Sequence, residues 1–206
     1  MAITPLALAP YIKAGGVLEV GQWGMIPPRS TGRTPLTSQG RRMSTNNARI
    51  EGIDSKWTFR CPWRAGQRCL IPAWSFTEPN WESGSNVWWS FSRSDGKPWA
   101  LGGLWSEWTD PDTGELVPNF TMLTQNCNAH SLLNRMHKPE LDPETKAPLP
   151  LDLQDKRTVV PIEEGDWDQW LNGTVAEAAG LIRLPGAEAL VGAPESGLGA
   201  VQKSLC

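Results

Sequence analysis

The stretch Cys69-Leu-Ile-Pro-Ala-Trp-Ser-Phe-Thr-Glu78 decides the fold class of this chain. Its apolar first half is typical of a buried β-strand, and a single carboxylate, Glu78, closes the stretch. A carboxylate beside an apolar strand is partly desolvated, and desolvation raises the pKa of a carboxyl toward the range of a general acid or base. A surface glutamate just past the strand end is the alternative, and the local sequence favours that alternative.

Short strands recur on both sides of this stretch. We predict strands at Val17–Met25, Cys69–Phe76, Val87–Ser92, Trp99–Trp105 and Asn119–Thr124. Asp95-Gly96 is typical of a hairpin turn, and Asp110-Pro-Asp-Thr-Gly114 predicts a longer hairpin loop. The pattern predicts an α+β fold in which short, mainly antiparallel strands curl into a barrel-like sheet with a few short helices.

Helical signals are sparse. Asn126–Arg135 predicts one short helix, capped by its first or third residue, and Glu163–Leu171 predicts another with an acidic first turn. Residues 140–161 are rich in proline and indicate an irregular connection. The sequence after about Leu184 is rich in Gly, Ala and Pro. We therefore expect one domain over residues 1–184 and a flexible tail over residues 185–206.

Composition excludes several classes of protein. No apolar run reaches the ~18 residues that a membrane span needs, and the N-terminus lacks the basic region of a signal peptide. We therefore expect a cytoplasmic protein that does not contact membranes. The four cysteines form no CxxC pair and there are only two histidines, so we expect neither a disulfide scaffold nor a metal site. No sequence feature calls for a cofactor.

The charge distribution is uneven. A formal net charge of −3 by itself argues against a nucleic-acid partner. Residues 29–68 nevertheless carry Arg29, Arg33, Arg41, Arg42, Arg49, Lys56, Arg60, Arg64 and Arg68 against only Glu51 and Asp54. This basic stretch is either a phosphate-binding surface or a solvated loop whose arginines pair with acidic residues elsewhere, and composition favours neither.

The sequence contains no P-loop, dinucleotide fingerprint, GxSxG or HExxH motif. The candidates for chemistry are therefore isolated polar residues. Besides Glu78 they include Asn47, beside the basic stretch, and His137, which follows an apolar segment. A lone histidine near an apolar face is more often structural than catalytic.

Six segments occur in a characteristic order between about Val17 and Pro139. They are Trp23-Gly-Met-Ile-Pro27, Asn47-Ala-Arg49, Arg68–Glu78, Leu101-Gly-Gly-Leu-Trp-Ser-Glu-Trp108, Phe120-Thr-Met-Leu-Thr124 and Met136-His137. In this order they resemble the SRAP family (SOS response-associated peptidases), whose members read WGLIP, NAR, RCLIPADGFYEW, AGLWE, FTILT and IHDRMP. Proteins of that family capture abasic sites in single-stranded DNA during the DNA damage response. Each segment alone is weakly specific, whereas six in order are highly specific.

The resemblance implies roles for particular residues. Asn47, Glu78 and His137 correspond to the active site, and we expect them to line one pocket. Arg49 corresponds to a contact with the DNA backbone, and Thr124 to a residue near the phosphates. The DNA-facing surface of the family falls on Pro27, Trp57, Phe59 and Arg60. Lys138 stands where the family has an acidic residue followed by an arginine, and it could replace the charge of that arginine but not its bidentate geometry.

The sequence departs from the family at its start. Members begin Met-Cys, and the free α-amine and thiol of that cysteine close a thiazolidine with the abasic aldehyde. This sequence begins Met1-Ala2, and the first family-like strand is not evident. An internal cysteine cannot replace that residue, because its backbone nitrogen is an amide. Two explanations stay open: either the real N-terminus adds about a strand and the nucleophile, or the chain is a binding-only or inactive relative. The presence of Asn47, Glu78 and His137 favours the first. The family's SOS-associated hydrolase, protease and lyase activities are therefore left open for this chain.

Three functions fit these observations. The resemblance favours an abasic-site processing protein that binds single-stranded DNA as a monomer. A non-catalytic single-stranded nucleic-acid-binding module, or an inactive SRAP relative, would use the basic stretch without the chemistry. A carbohydrate-binding β-domain would suit the 12 tryptophans, and its ligand binding would depend little on salt.

Overall fold

A computed structural model describes residues 3–195, which contain ten strands and three short α-helices. The strands are β1 (Leu8–Lys13), β2 (Val17–Trp23), β3 (Asn47–Arg49), β4 (Arg68–Ala73), β5 (Phe76–Asn80), β6 (Val87–Arg93), β7 (Trp99–Thr109), β8 (Leu116–Asn126), β9 (Arg157–Val159) and β10 (Leu190–Pro194). The helices are α1 (Trp57–Arg64), α2 (Trp167–Asn172) and α3 (Val175–Gly180). Single 3₁₀ turns occupy Ala14–Gly16, Ile53–Ser55, Leu133–Arg135, Leu151–Leu153, Glu164–Asp166 and Ala187–Ala189.

The chain divides into two compact units. Unit 1 comprises Met1–Ala73, Trp99–Gln125 and Val159–Leu184. Unit 2 comprises Trp74–Pro98, Asn126–Thr158 and Pro185–Cys206. Each unit is thus assembled from three separate stretches of sequence.

Unit 1 is built on a closed ring of five strands. The order is β2-β1-β4-β7-β8, and a short parallel pairing of Gln22–Trp23 with Asn119–Phe120 joins β2 back to β8. The other neighbours in the ring are antiparallel. This closure confirms the predicted α+β, barrel-like fold and leaves no free edge within the ring. The structure also shows the early strand β1, which the sequence did not reveal because Pro5 and Pro10 obscure its pattern.

The closure depends on close backbone approach. Gly21 lies on β2 opposite β8, and a Cβ added to it would be 2.6 Å from the backbone oxygen of Pro118. Only a residue without a side chain allows the two strands to meet there. Beside it, the fully buried Asn119 accepts a hydrogen bond from the Ile26 N–H through Oδ1 (3.0 Å). The chain that leaves β2 is thereby tied to β8.

The main core of unit 1 lies between the ring and the C-terminal helices. Its buried members include Leu70, Leu104, Leu123 and Trp170. The buried guanidinium of Arg68 donates hydrogen bonds to the carbonyl oxygens of Trp170 and of Gly173 just past α2. Arg68 thus satisfies carbonyls at a helix end that would otherwise be buried without partners.

Unit 2 contains a three-stranded antiparallel sheet in the order β10-β6-β5. Aromatic rings fill one face: Phe76 stacks on Phe91 at a centroid distance of 5.4 Å, and Trp89 lies 6.3 Å from Phe91. Gly192 on β10 packs directly against the ring of Phe91, where a Cβ would be 2.4 Å from Cε1. The glycine explains how a Gly/Ala/Pro-rich segment joins the sheet.

Several sequence predictions agree with the structure, although their boundaries shift. The five predicted strands fall on β2, β4, β6, β7 and β8, and the turn at Asp110–Gly114 joins β7 to β8 as a hairpin. The helix predicted over Glu163–Leu171 corresponds to a 3₁₀ turn followed by α2. Helix α1 was not predicted, because Pro62 inside it and its aromatic residues obscure the helical pattern.

Other predictions are wrong. Asn126–Arg135 is no α-helix: Asn126 ends β8, and His130 Nδ1 accepts hydrogen bonds from the N–H groups of Leu132 and Leu133 in a tight turn. The chain turns at Gly96, but no hairpin forms there, because β6 before the turn and β7 after it belong to different sheets.

Within the predicted tail over residues 185–206, Ala187–Ala189 form a 3₁₀ turn and Leu190–Pro194 form β10. Residues 196–206 lie outside the described residues, and the flexibility of the tail stays a prediction. Within residues 3–195, no helix is long and apolar enough to cross a membrane.

Replacing Gly21 by Ala should weaken the closure of the ring. The added methyl group meets the backbone of β8, which cannot rotate away, so we expect the free energy of unfolding to fall by about 1–3 kcal/mol. Denaturant unfolding of the Gly21→Ala variant measures the effect. Gly32→Ala is the matched control, because a Cβ at Gly32 meets nothing within 4 Å. Equal stability of the two variants would contradict the proposed role of Gly21.

Candidate functional site

Strand β5 of unit 2 carries the candidate carboxylate. Alternation along the strand places Phe76, Glu78 and Asn80 on its buried side, and Glu78 is 8% exposed. The surface position that the local sequence favoured for Glu78 is therefore wrong, and the carboxylate is buried.

His137 meets this carboxylate. Its Nε2 lies 3.0 Å from Glu78 Oε2 and 2.7 Å from the backbone oxygen of Arg157. The backbone of His137 has φ 63°, a left-handed conformation that is uncommon outside glycine, and its N–H donates to the oxygen of Pro79 at 2.5 Å. The preceding Met136 is fully buried and bridges to Asn80 on β5. The structure therefore brings Glu78 and His137 together across about sixty residues of sequence.

The two acceptors determine where the imidazole carries its proton. The Arg157 carbonyl can only accept a hydrogen bond, so Nε2 is a donor. In the neutral ring Nδ1 is then the unprotonated nitrogen, and no described residue bonds to it. In the neutral ring, Nδ1 is consequently the atom of His137 that can accept a proton.

The pKa values of Glu78 and His137 are both raised, through burial and through their pairing. Burial raises the pKa of Glu78, and the hydrogen bond and charge of His137 offset only part of that rise. Burial acts to lower the pKa of His137, but the hydrogen bond and charge of Glu78, together with the hydrogen bond to the Arg157 oxygen, outweigh it and leave this pKa raised. Both shifts favour the protonated form of the group concerned, as is typical of a buried and coupled acid–base pair.

Two further residues of unit 2 contact this pair, and sequence reasoning missed both. Arg157 supplies the carbonyl to His137 Nε2, and Lys156 donates from Nζ to the His137 oxygen at 2.7 Å. Both lie in the proline-rich connection, which shows no periodicity or motif that could have identified them. Lys138 is exposed, with its Nζ 5.3 Å from the centroid of the Trp81 ring. Its contact with DNA stays a prediction.

In unit 1, β3 carries two of the predicted residues on one exposed face. Asn47 and Arg49 alternate with the fully buried Ala48, and Arg49 lies opposite Thr124 in the parallel pairing with β8. The position of β3 is set by the Trp23–Pro27 segment: Trp23 Nε1 donates to the Asn46 oxygen at 2.8 Å, and the Met25 N–H donates to the Thr45 oxygen. Arg49 and Thr124 are therefore neighbours, although Thr124 is buried, and their contact with DNA phosphates stays a prediction. The pocket shared by Asn47, Glu78 and His137 stays a prediction.

A groove of about 560 Å³ in unit 1 gathers three more predicted residues, Pro27, Trp57 and Arg60. Trp57 exposes 44% of its surface beside it. Phe59 does not line the groove, because it packs half-buried against the main core. The other lining residues are Pro28, Arg29, Ser30, Pro35, Leu36, Met43 and Cys61.

The arginines of the basic stretch differ in their surroundings. Arg33 pairs with Glu115 (2.6 Å), Arg64 pairs with Asp54 (3.0 Å), and Arg68 is buried in the core. Of these three, only Arg33 pairs with an acidic residue outside the stretch, because Asp54 lies within it and Arg68 donates to backbone carbonyls. Arg29 and Arg60 instead line the groove. Within residues 3–195, no group of three or more His, Cys, Asp or Glu side chains is arranged to hold a metal ion.

Comparison with known proteins places this arrangement in a family. The family model for SOS response associated peptidase (SRAP) matches residues 3–192. This chain belongs to the SRAP family. Among curated proteins no relative matches the chain.

Solved structures agree with the SRAP assignment. A protein of Bordetella bronchiseptica is 31% identical and superposes with a TM-score of 0.79, covering 94% of this chain and 86% of that one. A protein of Bacteroides thetaiotaomicron is 22% identical, with a TM-score of 0.69 over 91% of this chain and 73% of that one. A phage-related protein of Bordetella bronchiseptica is 18% identical, with a TM-score of 0.59 over 93% and 79%. The last two show the SRAP fold alone.

Replacing Glu78 by Gln should lower the pKa of His137. The substitution removes the charge that raises this pKa and leaves burial, which lowers it. Imidazole NMR titration can follow the change because the chain has only two histidines. His130, whose ring contacts Leu132, Leu133 and Pro185, provides the internal reference. An unchanged or higher His137 pKa would show that Glu78 does not control it.

Proposed function

We propose that this SRAP protein processes abasic sites in single-stranded DNA, with Glu78 and His137 moving the protons. The observation that carries the proposal is the 3.0 Å contact between these two groups, at the positions where the family has its active-site carboxylate and histidine. The family match includes stretches of both units, which supports treating residues 1–184 as one functional domain. We further propose that the protein acts as a monomer in the cytoplasm.

The proton chemistry of an abasic site suits this pair. The deoxyribose exists as a cyclic hemiacetal and reacts as its ring-opened aldehyde. Ring opening needs a base to take the hydroxyl proton at C1′ and an acid to protonate the ring oxygen. Attack by an amine on the aldehyde then needs a proton delivered to the departing hydroxyl, which leaves as water. A carboxyl with a raised pKa would deliver a proton, and an imidazole whose Nδ1 is unprotonated would take one, so the pair would serve both steps.

The nucleophile of the family is an N-terminal cysteine. Its α-amine, with an ordinary pKa near ~7.7, forms the imine, and its thiol adds to the imine carbon while the thiol proton moves to nitrogen. The product is a thiazolidine. In the present sequence position 2 is Ala2, which offers an amine after removal of the initiator methionine but no thiol.

The DNA-binding surface in this proposal lies on unit 1. Arg49 and Thr124 would contact phosphates, and Arg60 would add charge beside the groove. The exposed ring of Trp57 would stack on a base, and Pro27 would form part of the groove wall. Lys138, which lies in unit 2, would be a separate contact with DNA.

Binding without crosslinking is the second candidate, and the groove lined by Trp57, Arg29 and Arg60 is the observation that favours it. In that case the chain would recognise single-stranded DNA, and at most a reversible imine would form. The two candidates differ in the stability of the adduct, which an experiment can measure directly.

The polypeptide of this sequence should form no heat-stable adduct with an abasic oligonucleotide. We expect only a borohydride-trappable imine, whereas a form carrying a family-like N-terminal extension that begins Met-Cys should give a heat-stable thiazolidine. A denaturing gel of both forms, with an oligonucleotide lacking the abasic site as control, makes the comparison. A heat-stable adduct from the unextended chain would overturn this account of the nucleophile. No adduct from a folded extended form would favour binding alone.

Arg49→Ala should weaken binding to single-stranded DNA about equally for all sequences. One lost phosphate contact should lower the slope of log affinity against log salt by roughly 0.7. The matched control is Arg33→Ala, because Arg33 is already paired with Glu115 and Asp110. Fluorescence anisotropy over a salt series gives both slopes, and a slope unchanged by Arg49→Ala would remove Arg49 from the binding surface.

A further inference from the structure

Lys156 is a buried cation with an unusual environment. Its side chain is 6% exposed, and burial lowers the pKa of its ammonium. No described carboxylate lies within ion-pair distance of Nζ, although Glu140 contributes at longer range. The bond that Nζ does make is to the backbone oxygen of His137, at 2.7 Å. A lysine buried without an ion pair is costly, so a purely structural role explains it poorly.

The backbone of Lys156 is held as firmly as its side chain. Its N–H donates to Asn128 Oδ1 at 2.9 Å, and its carbonyl oxygen accepts from the Cys127 N–H at 2.8 Å. The next residue, Arg157, places its own carbonyl on His137 Nε2. This short segment therefore contacts His137 at two points, the backbone oxygen and the ring.

His137 needs such support because its backbone is in the left-handed region, with φ 63°. A side chain with a Cβ is disfavoured there, and the conformation persists only where surrounding contacts impose it. The Pro79 carbonyl binds the N–H on one side of the residue, and the Lys156 ammonium binds the carbonyl on the other. Between these two bonds the ring projects toward Glu78.

We infer that Lys156 is a positioning residue, whose ammonium holds His137 in the left-handed conformation that brings its ring to Glu78. The catalytic consequence of this inference rests on the function proposed above, whereas the positioning itself does not. Without the ammonium, His137 would relax toward ordinary backbone angles and its hydrogen bond to Glu78 would lengthen or break.

The titration of His137 distinguishes positioning from a simple effect of charge. The nearby positive charge of Lys156 acts to lower the pKa of His137, whereas the contact with Glu78 that it maintains acts to raise that pKa. If Lys156 acts through charge alone, Lys156→Met should raise the pKa of His137. If Lys156 positions the ring, the same substitution should lower it, because the bond to Glu78 is lost.

Lys146→Met is the matched control. Lys146 also lies in unit 2, has a left-handed backbone (φ 59°) and donates from Nζ to a carbonyl, that of Pro143, at 2.6 Å, but it is exposed. We expect this variant to leave the His137 titration unchanged. Thermal unfolding of both variants shows whether each is folded at the temperature of the titration.

Lys156→Arg keeps the inference testable if the Met variant does not fold. Arginine retains the charge, but its planar guanidinium cannot place one nitrogen where Nζ lies. Charge alone therefore predicts an unchanged pKa for His137, and positioning predicts a lower one. For either variant, a His137 pKa that stays constant or rises overturns the inference.

The rate of imine trapping on an abasic oligonucleotide is the second readout. We expect Lys156→Met to reduce this rate about tenfold or more, the scale of a general acid–base contribution, and Lys146→Met to leave it unchanged. A lowered His137 pKa together with an unreactive unsubstituted protein would support the positioning role and refute the proposed function. A lowered pKa with an undiminished rate would overturn the catalytic consequence of the inference.

Discussion

The pairing of β8 is the constraint on which unit 1 depends. This strand lies antiparallel to β7, parallel to β3 and, over two residues, parallel to β2. The last pairing closes the ring, and it is possible only because Gly21 presents no side chain to the backbone of Pro118. Once β8 is in place, the Trp23–Pro27 segment and β3 are anchored to it, and Arg49 and Thr124 become neighbours. The geometry of the candidate DNA surface thus follows from a backbone contact rather than from a binding motif.

Unit 2 depends on a different interaction, between two titratable groups removed from water. Burial alone would keep Glu78 protonated and His137 neutral, and each group opposes that tendency in the other. Glu78 and His137 can each oppose the effect of burial on the other only while the imidazole stays at hydrogen-bond distance from the carboxylate. A strained backbone at His137, bonded on both sides, maintains that distance. The left-handed backbone of His137 therefore helps to set the pKa of its side chain.

Residues of one type perform unlike tasks in this chain, and burial decides which. His130 closes a tight turn through its ring, whereas His137 meets a carboxylate. Arg68 serves carbonyls in the core, whereas Arg49 is exposed on β3. Trp170 is fully buried, whereas Trp57 exposes nearly half of its surface beside a groove. Composition does not distinguish buried from exposed residues of the same type. Neither the abundance of tryptophan nor the clustering of basic residues could therefore assign a function.

The sequence by itself determined the strand-rich class, five of the ten strands and the family, because alternating apolar residues, turn residues and the order of short motifs are local properties. It also singled out Glu78 and His137 as candidates, but only the resemblance to the family favoured an active-site role over a surface or structural one. Tertiary structure alone decided that Gly192 admits β10 to a sheet, that Phe59 packs against the core, and that Lys156 and Arg157 serve His137. Those outcomes depend on pairings between residues far apart in sequence, and on burial that a neighbouring strand imposes. A local sequence pattern reveals neither these long-range pairings nor the burial that they impose.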